Sequence, residues 1–339
     1  MLGLKLKVAI NGFGRIGRLL YRAAIERGSN IDFVAINDLT DAKTLAHLLK
    51  YDSNYGELKA DVQYRENKLI VNGRELEILS ATDPSELPWG KLGVYMVVEC
   101  TGRFTDRESA SKHLGAGAKK VLISAPSKNP DATIIFGVND EKYDPINHNV
   151  LSIGSCTTNC LVPTVKVVSD KFGVKRAIFT TAHAITNDQR ILDFQHKDLR
   201  RARSAGQSII PTTTGAATTV IEIIPELRNK ITGLALRVPV QVVSILDLVA
   251  EVEQDVTAEV VNAAFKQEAA GRMAGILDCS DIPLVSVDYK GNAHSSTVDS
   301  LLTSVVDDRL VKVLAWYDNE WGFSNRMVDM IERVDRFAK

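Results

Sequence analysis

Lys7-Val8-Ala9-Ile10-Asn11-Gly12-Phe13-Gly14-Arg15-Ile16-Gly17-Arg18 decides the fold of this chain. An apolar strand runs into glycines spaced Gly-x-Gly-x-x-Gly, and a helical apolar pattern follows through Leu19, Leu20, Ala23, Ala24 and Ile25. Glycines at these positions allow a tight turn and let a pyrophosphate approach the backbone at a helix N-terminus. A second strand, Ile31 to Asn37, ends at Asp38, 21 residues past Gly17. An acid there accepts hydrogen bonds from a ribose hydroxyl pair and repels a 2′-phosphate. The unit predicts a dinucleotide site, with NAD as cofactor and NADP as the alternative.

Outward from it, strands are expected at Leu69–Val71, Tyr95–Cys100, Lys120–Ser124, Ala132–Phe136 and Asn149–Ile153, with an Asn72-Gly73 hairpin turn leading to Leu76–Leu79. The runs around Val97 and Val121 are apolar throughout, as in parallel strands buried on both faces. Thr101-Gly102 and Ser124-Ala125-Pro126 end two of them, where doubly wound sheets bind ligands. The expected fold class is α/β: an N-terminal doubly wound (Rossmann) domain over 1–154. An α+β catalytic domain on a mainly antiparallel sheet follows over 155–319, and a last helix within 320–339 packs back on the first domain.

The second half carries a thiol. Ser155-Cys156-Thr157-Thr158-Asn159-Cys160 lies between a strand and an apolar helical pattern starting near Leu161. A cysteine beside a helix N-terminus has its pKa lowered, although a capped core cysteine fits the same four letters. His183, at the end of the strand Arg176–His183, is a candidate base. Further strands are expected at 234–239, 244–252 and 310–317, and helices near 208–223, 257–270 and 325–337. Lys197 to Arg203 concentrates cations without interleaved aromatics, which disfavours base stacking on nucleic acid. Pro211-Thr212-Thr213-Thr214-Gly215 ahead of a helix, with Arg237 at a strand end, offers donors to a phosphate.

Bulk properties agree with a two-domain enzyme. The chain has 339 residues, 45% of them hydrophobic and 24% charged, with a net charge of −1. No strong global field calls for nucleic acid or a membrane surface. The four cysteines Cys100, Cys156, Cys160 and Cys279 form neither a disulfide framework nor a Cys-x-x-Cys pair, and no metal-ligand spacing appears. The N-terminus has no leader-like apolar region, and no apolar run is long enough for a bilayer. A cytoplasmic, metal-free protein is expected.

Several blocks together resemble the glyceraldehyde-3-phosphate dehydrogenase family over nearly the whole chain. They are Ile10–Arg18 (INGFGRIGR), Ala46–Ser53 (AHLLKYDS), Ser155–Cys160 (SCTTNC), Thr186–Leu192 (TNDQRIL), His196–Arg203 (HKDLRRAR), Ile209–Ala217 (IIPTTTGAA) and Trp316–Phe323 (WYDNEWGF). The resemblance implies Cys156 as nucleophile toward the aldehyde. It implies His183 as the group that holds the thiol ionised and then takes a proton as hydride leaves. Thr186 and Arg237 match the site for the substrate's C3 phosphate, with Arg201 close by. Ser155, Thr157, Thr214 and Gly215 match the site for the attacking inorganic phosphate. Gly12, with Arg15 and Ile16, matches the pyrophosphate loop. Asp38 matches the adenosine ribose contact, Thr82 a backbone contact near adenine, Ser124 the nicotinamide side, and Asn319 the residue orienting the carboxamide. The family's homotetramer is implied in the same way.

This sequence departs from the family pattern at Ile185, Ile153-Gly154, Phe194-Gln195 and Thr82. The Phe194-Gln195 loop bears on cofactor choice, so tolerance of NADP stays open. Gln207-Ser208 and Val285–Asp288 lean toward the related erythrose-4-phosphate dehydrogenases, but Thr186 and Thr214-Gly215, which those relatives lack, favour the phosphorylating enzyme. A reading of another class is an RNA-binding protein on a nucleotide fold; it leaves the thiol and phosphate sites without a purpose.

Overall fold

The computed structural model describes residues 5–338. They form two compact units: one of residues up to Ile134, Glu141–Gly154 and from Ser324 onward, the other of Ile135–Asp140 and Ser155–Phe323.

The first unit runs β1 (Lys7–Asn11), α1 (Arg15–Glu26), β2 (Asp32–Asn37), α2 (Ala42–Lys50), then the short ribbon β3 (Tyr51–Asp52) and β4 (Gly56–Glu57). A hairpin system follows as β5 (Val62–Arg65), β6 (Lys68–Val71) and β7 (Arg74–Leu79). The remainder is α3 (Trp89–Leu92), β8 (Met96–Glu99), α4 (Arg107–Ala110), α5 (Lys112–Gly115), β9 (Lys120–Ile123), β10 (Ala132–Thr133) and β11 (Val150–Ser152). Nine strands make one sheet in the order β10-β11-β9-β8-β1-β2-β7-β6-β5. The strands from β10 to β7 pair in parallel, and β6 and β5 extend the edge antiparallel. β8 and β9 are buried at every position, as the unbroken apolar runs predict. The strand expected over Ala132–Phe136 pairs only at Ala132 and Thr133.

Buried Arg22 of α1 donates to the carbonyls of Leu49, Lys50 and Gly56, satisfying the end of α2 and fixing the ribbon beyond it. Gly12 sits at φ +92°, and a Cβ there would stand 2.7 Å from the Thr101 nitrogen. Only glycine allows β1 to turn this close to the end of β8.

The second unit runs α6 (Cys156–Phe172), β12 (Val174–His183), β13 (Ile210–Thr212), α7 (Ala216–Ile223), β14 (Ile231–Arg237), β15 (Ser244–Val252) and α8 (Ala258–Ala270). β16 (Leu277–Ser280), β17 (Ser296–Asp299), β18 (Ser304–Val306), β19 (Leu310–Tyr317) and the start of α9 (Trp321–Phe337) complete it; from Ser324 on, α9 belongs to the first unit. The sheet order is β13-β14-β12-β15-β19-β17-β16, with β18 also on β19. All its pairs are antiparallel except β12 with β14 and β16 with β17. Strict alternation in β15 turns Leu246, Leu248, Ala250 and Val252 toward a core shared with α6, α7 and α8.

Three helices start well away from where the sequence reading puts them, and the strand expected at 234–239 runs over Ile231–Arg237. Helix α6 begins at Cys156 rather than near Leu161; Thr157, Thr158, Asn159 and Cys160 are poor helix formers but all buried, so packing outweighs propensity. The helix expected from 208 starts at Ala216, because Pro211 and its neighbours form β13 on the sheet edge, where a missing N–H costs nothing. Helix α9 starts at Trp321 rather than Asn325, with Asp318 accepting from the amides of Glu320 and Trp321.

Gly12→Ala is expected to lower stability by about 2–5 kcal/mol, from backbone strain and overpacking together. A lowered urea midpoint at unchanged slope would show it.

Candidate active site

The second unit's site grows from the first turn of α6. Ser155 is its N-cap, and its hydroxyl oxygen accepts from the Thr158 amide at 3.0 Å. That cap makes Cys156 the first residue of a 17-residue helix and sets the thiol at the positive end of the helix dipole. Strand β12 ends at His183, whose Nε2 lies 3.3 Å from Cys156 Sγ. Parallel pairing of β12 with β14 puts His183 in register with Arg237. The Arg237 guanidinium stands against His183 Nδ1 and donates to the Ala184 carbonyl at 3.1 Å. The same carbonyl lies 2.7 Å from Nδ1. With its proton on Nδ1, donated to this carbonyl, the imidazole turns the Nε2 lone pair to the thiol; with Nδ1 accepting from Arg237 instead, Nε2 carries the proton.

The sequence reading has the helix start lower the Cys156 pKa and His183 hold the thiol ionised, and opposing effects bear on this pair. Burial pushes the Cys156 thiol up, against the pull of the Arg237 charge and of hydrogen bonds from Thr157. Burial and then Arg237 hold His183 down to about 3, with the Ala184 carbonyl opposing them. Both shifts favour the uncharged forms, a thiol beside an imidazole whose free ring nitrogen is a base.

The remaining candidates fall into smaller groups. Arg201 donates to Thr212 Oγ1 at 2.9 Å and pairs with Asp188 at 2.5 Å, which ties the basic run to the threonine segment. Thr214 Oγ1 accepts from the Ala216 amide at 3.3 Å, and Gly215 caps α7 without a side chain of its own. Thr186 sits on the turn after β12, bonded through its backbone to Gln189. Asn319 Oδ1 accepts from Ser244 Oγ at 3.1 Å, and Ser244 Oγ itself accepts from the Ala184 amide at 3.0 Å. Of the expected residues, contacts join Cys156, Thr157, His183 and Arg237 directly, whereas Thr186, Arg201, Thr214 and Asn319 are each held by other partners.

The first unit's site is a cleft of about 250 Å³ lined by residues that include Gly12, Gly14, Asp38, Leu39, Thr82 and Thr101. Asp38 Oδ2 accepts from the Phe13 amide at 2.7 Å and so fixes the glycine turn. Gly14 caps α1 with no side chain to bond the first-turn amides, and a Cβ there would meet nothing within 4 Å. This open, amide-lined turn suits a pyrophosphate, and the adjacent acid suits a ribose. Arg15 pairs its side chain with Asp52 at 3.0 Å. Ile16 is on the first turn of α1, and Ser124 at the end of β9 lies against Cys100, a cleft residue.

Sequence reasoning missed the polar network beneath this cleft. Glu99, at the end of β8, accepts from Asn11 Nδ2 at 2.5 Å, from the Thr101 amide at 2.7 Å and from the Thr101 hydroxyl. Trp89 Nε1 donates to His113 Nδ1 at 2.9 Å, so His113 Nε2 carries the proton and donates to Glu99 at 3.2 Å. Asn37 donates to Asn11 and to the Ala81 carbonyl and accepts from the Ala81 amide. Glu99 and His113 are at most 1% exposed. A polar residue ending each of three adjacent buried strands was the available signal.

A dinucleotide fold and a thiol–imidazole pair in one chain define a class, the nicotinamide-dependent oxidoreductases with a cysteine at their centre. Comparison with known proteins narrows it. Residues 6–107 match the family model for the glyceraldehyde 3-phosphate dehydrogenase NAD binding domain, and residues 155–319 match the model for the C-terminal domain of that enzyme. The chain is 59% identical over 324 residues to a glyceraldehyde-3-phosphate dehydrogenase of Geobacillus stearothermophilus, covering 96% of each. It is 58% identical to glyceraldehyde-3-phosphate dehydrogenase 1 of Bacillus subtilis over 96% of each chain. It is 54% identical to a Streptomyces coelicolor glyceraldehyde-3-phosphate dehydrogenase over 96% of this chain and 97% of the relative. The chain belongs to the glyceraldehyde-3-phosphate dehydrogenase family, and NAD is the cofactor of its first domain.

Folded His183 stays neutral down to about 3, whereas an unfolded imidazole takes its proton near 6.5. Below about 6.5 the unfolded state therefore binds more protons, and stability falls as pH falls toward 3. His183→Gln removes this term. Calorimetry at about pH 7 and pH 4.5 should show a smaller drop in Tm for the variant than for the parent.

Proposed function

We propose that this protein oxidises D-glyceraldehyde 3-phosphate with NAD and inorganic phosphate to 1,3-bisphosphoglycerate, a reaction of glycolysis and gluconeogenesis. The observation that carries the reading is the 3.3 Å approach of Cys156 Sγ to His183 Nε2 at a capped helix N-terminus, with Arg237 alongside.

Cys156 sulfur attacks the aldehyde carbon while its proton passes to His183 Nε2. The Cys156 amide at the helix start stabilises the oxyanion, and His183 returns the proton to that oxygen, giving a thiohemiacetal. NAD supplies the hydride acceptor. His183 takes the hydroxyl proton as the C–H bond breaks, leaving a thioester on Cys156. Inorganic phosphate then attacks the thioester carbonyl, and the Cys156 sulfur leaves as thiolate. Ser155, Thr157, Thr214 and Gly215 bind that phosphate in this scheme, while Thr186, Arg201 and Arg237 hold the C3 phosphate. Gly12, Arg15, Ile16, Asp38, Thr82 and Ser124 bind the dinucleotide, and Asn319 orients its carboxamide. Asp38 favours NAD over NADP by charge.

The assembly proposed is a homotetramer, supported by the outer face of the catalytic sheet. Ile178, Leu234, Val306 and Leu310 are all exposed there, and Ile178 and Leu310 border a groove of about 1170 Å³. A cytoplasmic setting is proposed from the four free cysteines. No helix among the described residues is long and apolar enough to cross a membrane.

Purified protein given the three-carbon aldehyde, NAD and phosphate is expected to produce NADH absorbance. Cys156→Ser should abolish it. Arg237→Gln should raise the aldehyde KM by roughly tenfold or more, the worth of a charge-assisted hydrogen bond. No NADH from the parent protein, or faster turnover of erythrose 4-phosphate, would sink this assignment.

A further inference from the structure

Glu99 is a buried acid that the mechanism above leaves unused. It ends β8, and four donors converge on its two oxygens. Oε2 accepts from Asn11 Nδ2 at 2.5 Å and from His113 Nε2 at 3.2 Å, and Oε1 accepts from both the amide and the hydroxyl of Thr101. Asn11 and Thr101 line the cleft of the first unit, as do Asn37, Ala81 and Arg103.

The polarity of these bonds runs outward from the carboxylate. A carboxylate only accepts, so Asn11 turns its Nδ2 to Glu99 and its Oδ1 to Asn37. Asn37 Nδ2 donates to that oxygen at 2.7 Å and to the Ala81 carbonyl at 3.0 Å, which leaves Asn37 Oδ1 to accept from the Ala81 amide at 2.8 Å. On the other side, the Thr101 hydroxyl gives its proton to Glu99 and accepts from the Arg103 amide at 3.1 Å. One side chain thus orients two walls of the cleft: Ala81 past the end of β7, and Thr101 with Arg103 past the end of β8.

We propose that Glu99 is a positioning residue for NAD, holding the cleft in its binding shape through Asn11, Asn37 and Thr101 before the dinucleotide arrives. A cleft ordered in advance spares association the cost of ordering it. The proposal rests on NAD binding in this cleft and is independent of the chemistry at Cys156. Glu99→Gln exposes the dependence, because it turns one oxygen into an amide of similar size. Facing Thr101, the new N–H group meets two donors. Facing Asn11, it meets Asn11 and His113, and turning Asn11 over reverses Asn37 and strands the Ala81 amide. No arrangement satisfies every group, and an unsatisfied buried donor is costly.

The test is calorimetric titration of the full chain with NAD, alongside urea midpoints and steady-state kinetics. Glu99→Gln is expected to weaken NAD binding by roughly tenfold or more, the size of one or two hydrogen bonds. KM for NAD should rise in step while kcat changes little, the mark of lost binding rather than lost chemistry. His113→Leu takes one donor from Glu99 and should weaken NAD by roughly threefold to tenfold; it serves if Glu99→Gln does not fold. His113→Gln presents an amide N–H in place of the Nε2 proton and should bind NAD as the parent does. Trp89→Phe removes only the bond to His113 Nδ1, so it should lower the urea midpoint and leave NAD affinity near the parent's. The proposal is overturned if the folded members of the Glu99→Gln and His113→Leu pair bind NAD as the parent does. It is also overturned if Trp89→Phe weakens NAD as much as they do, or if His113→Gln binds no better than His113→Leu. A parent chain that takes up no NAD would overturn the cofactor site itself, a failure that no comparison among variants can imitate.

Discussion

One hydrogen bond, from the Thr158 amide to the Ser155 hydroxyl, sets where helix α6 begins. Everything chemical in the second unit is placed relative to that start. Had the helix begun a turn later, Cys156 would lie in a loop with no fixed relation to β12. Because it begins at Cys156, the thiol has the dipole of a 17-residue helix behind it and the end of β12 in front. Strand register does the rest by pairing His183 with Arg237. Backbone pairing thus sets a base and a cation side by side, and the Ala184 carbonyl holds the guanidinium there.

The site that results is largely screened from solvent and cationic. Two opposed effects act on the thiol, and burial wins over the guanidinium. On the imidazole the two act together and drive it far down. Such a site disfavours a standing imidazolium, but favours any step that brings in negative charge: a thiolate, an oxyanion or a phosphate. Ground-state neutrality and readiness for anions are two sides of the same desolvation.

The parallel half of the fold was legible because buried strands and glycine turns leave local marks. Gly12, Asp38 and the apolar runs around Val97 and Val121 are explicit in the sequence. The first turn of α6 was not legible, since Thr157, Thr158 and Asn159 look like loop residues until burial is known. Pro211 likewise reads as helix-adjacent until the sheet edge is seen. The thiol and base could be named from their positions, but their protonation states could not. Those depend on how deeply His183 is buried and on the arrival of Arg237 from 54 residues away.

The Glu99 network has a consequence for how this chain can change over generations. Its carboxylate is met by Asn11, Thr101 and His113, His113 is fixed by Trp89, and Asn37 locks Asn11 to Ala81. Removing one partner of a buried charge costs about 3–5 kcal/mol, whereas replacing the whole group by apolar residues can be neutral. Single substitutions at these positions are therefore steep losses, with the neutral alternatives several simultaneous changes away. Descendants of this sequence should keep the group entire or exchange it as a block, so that residues remote in the chain are inherited as if they were one.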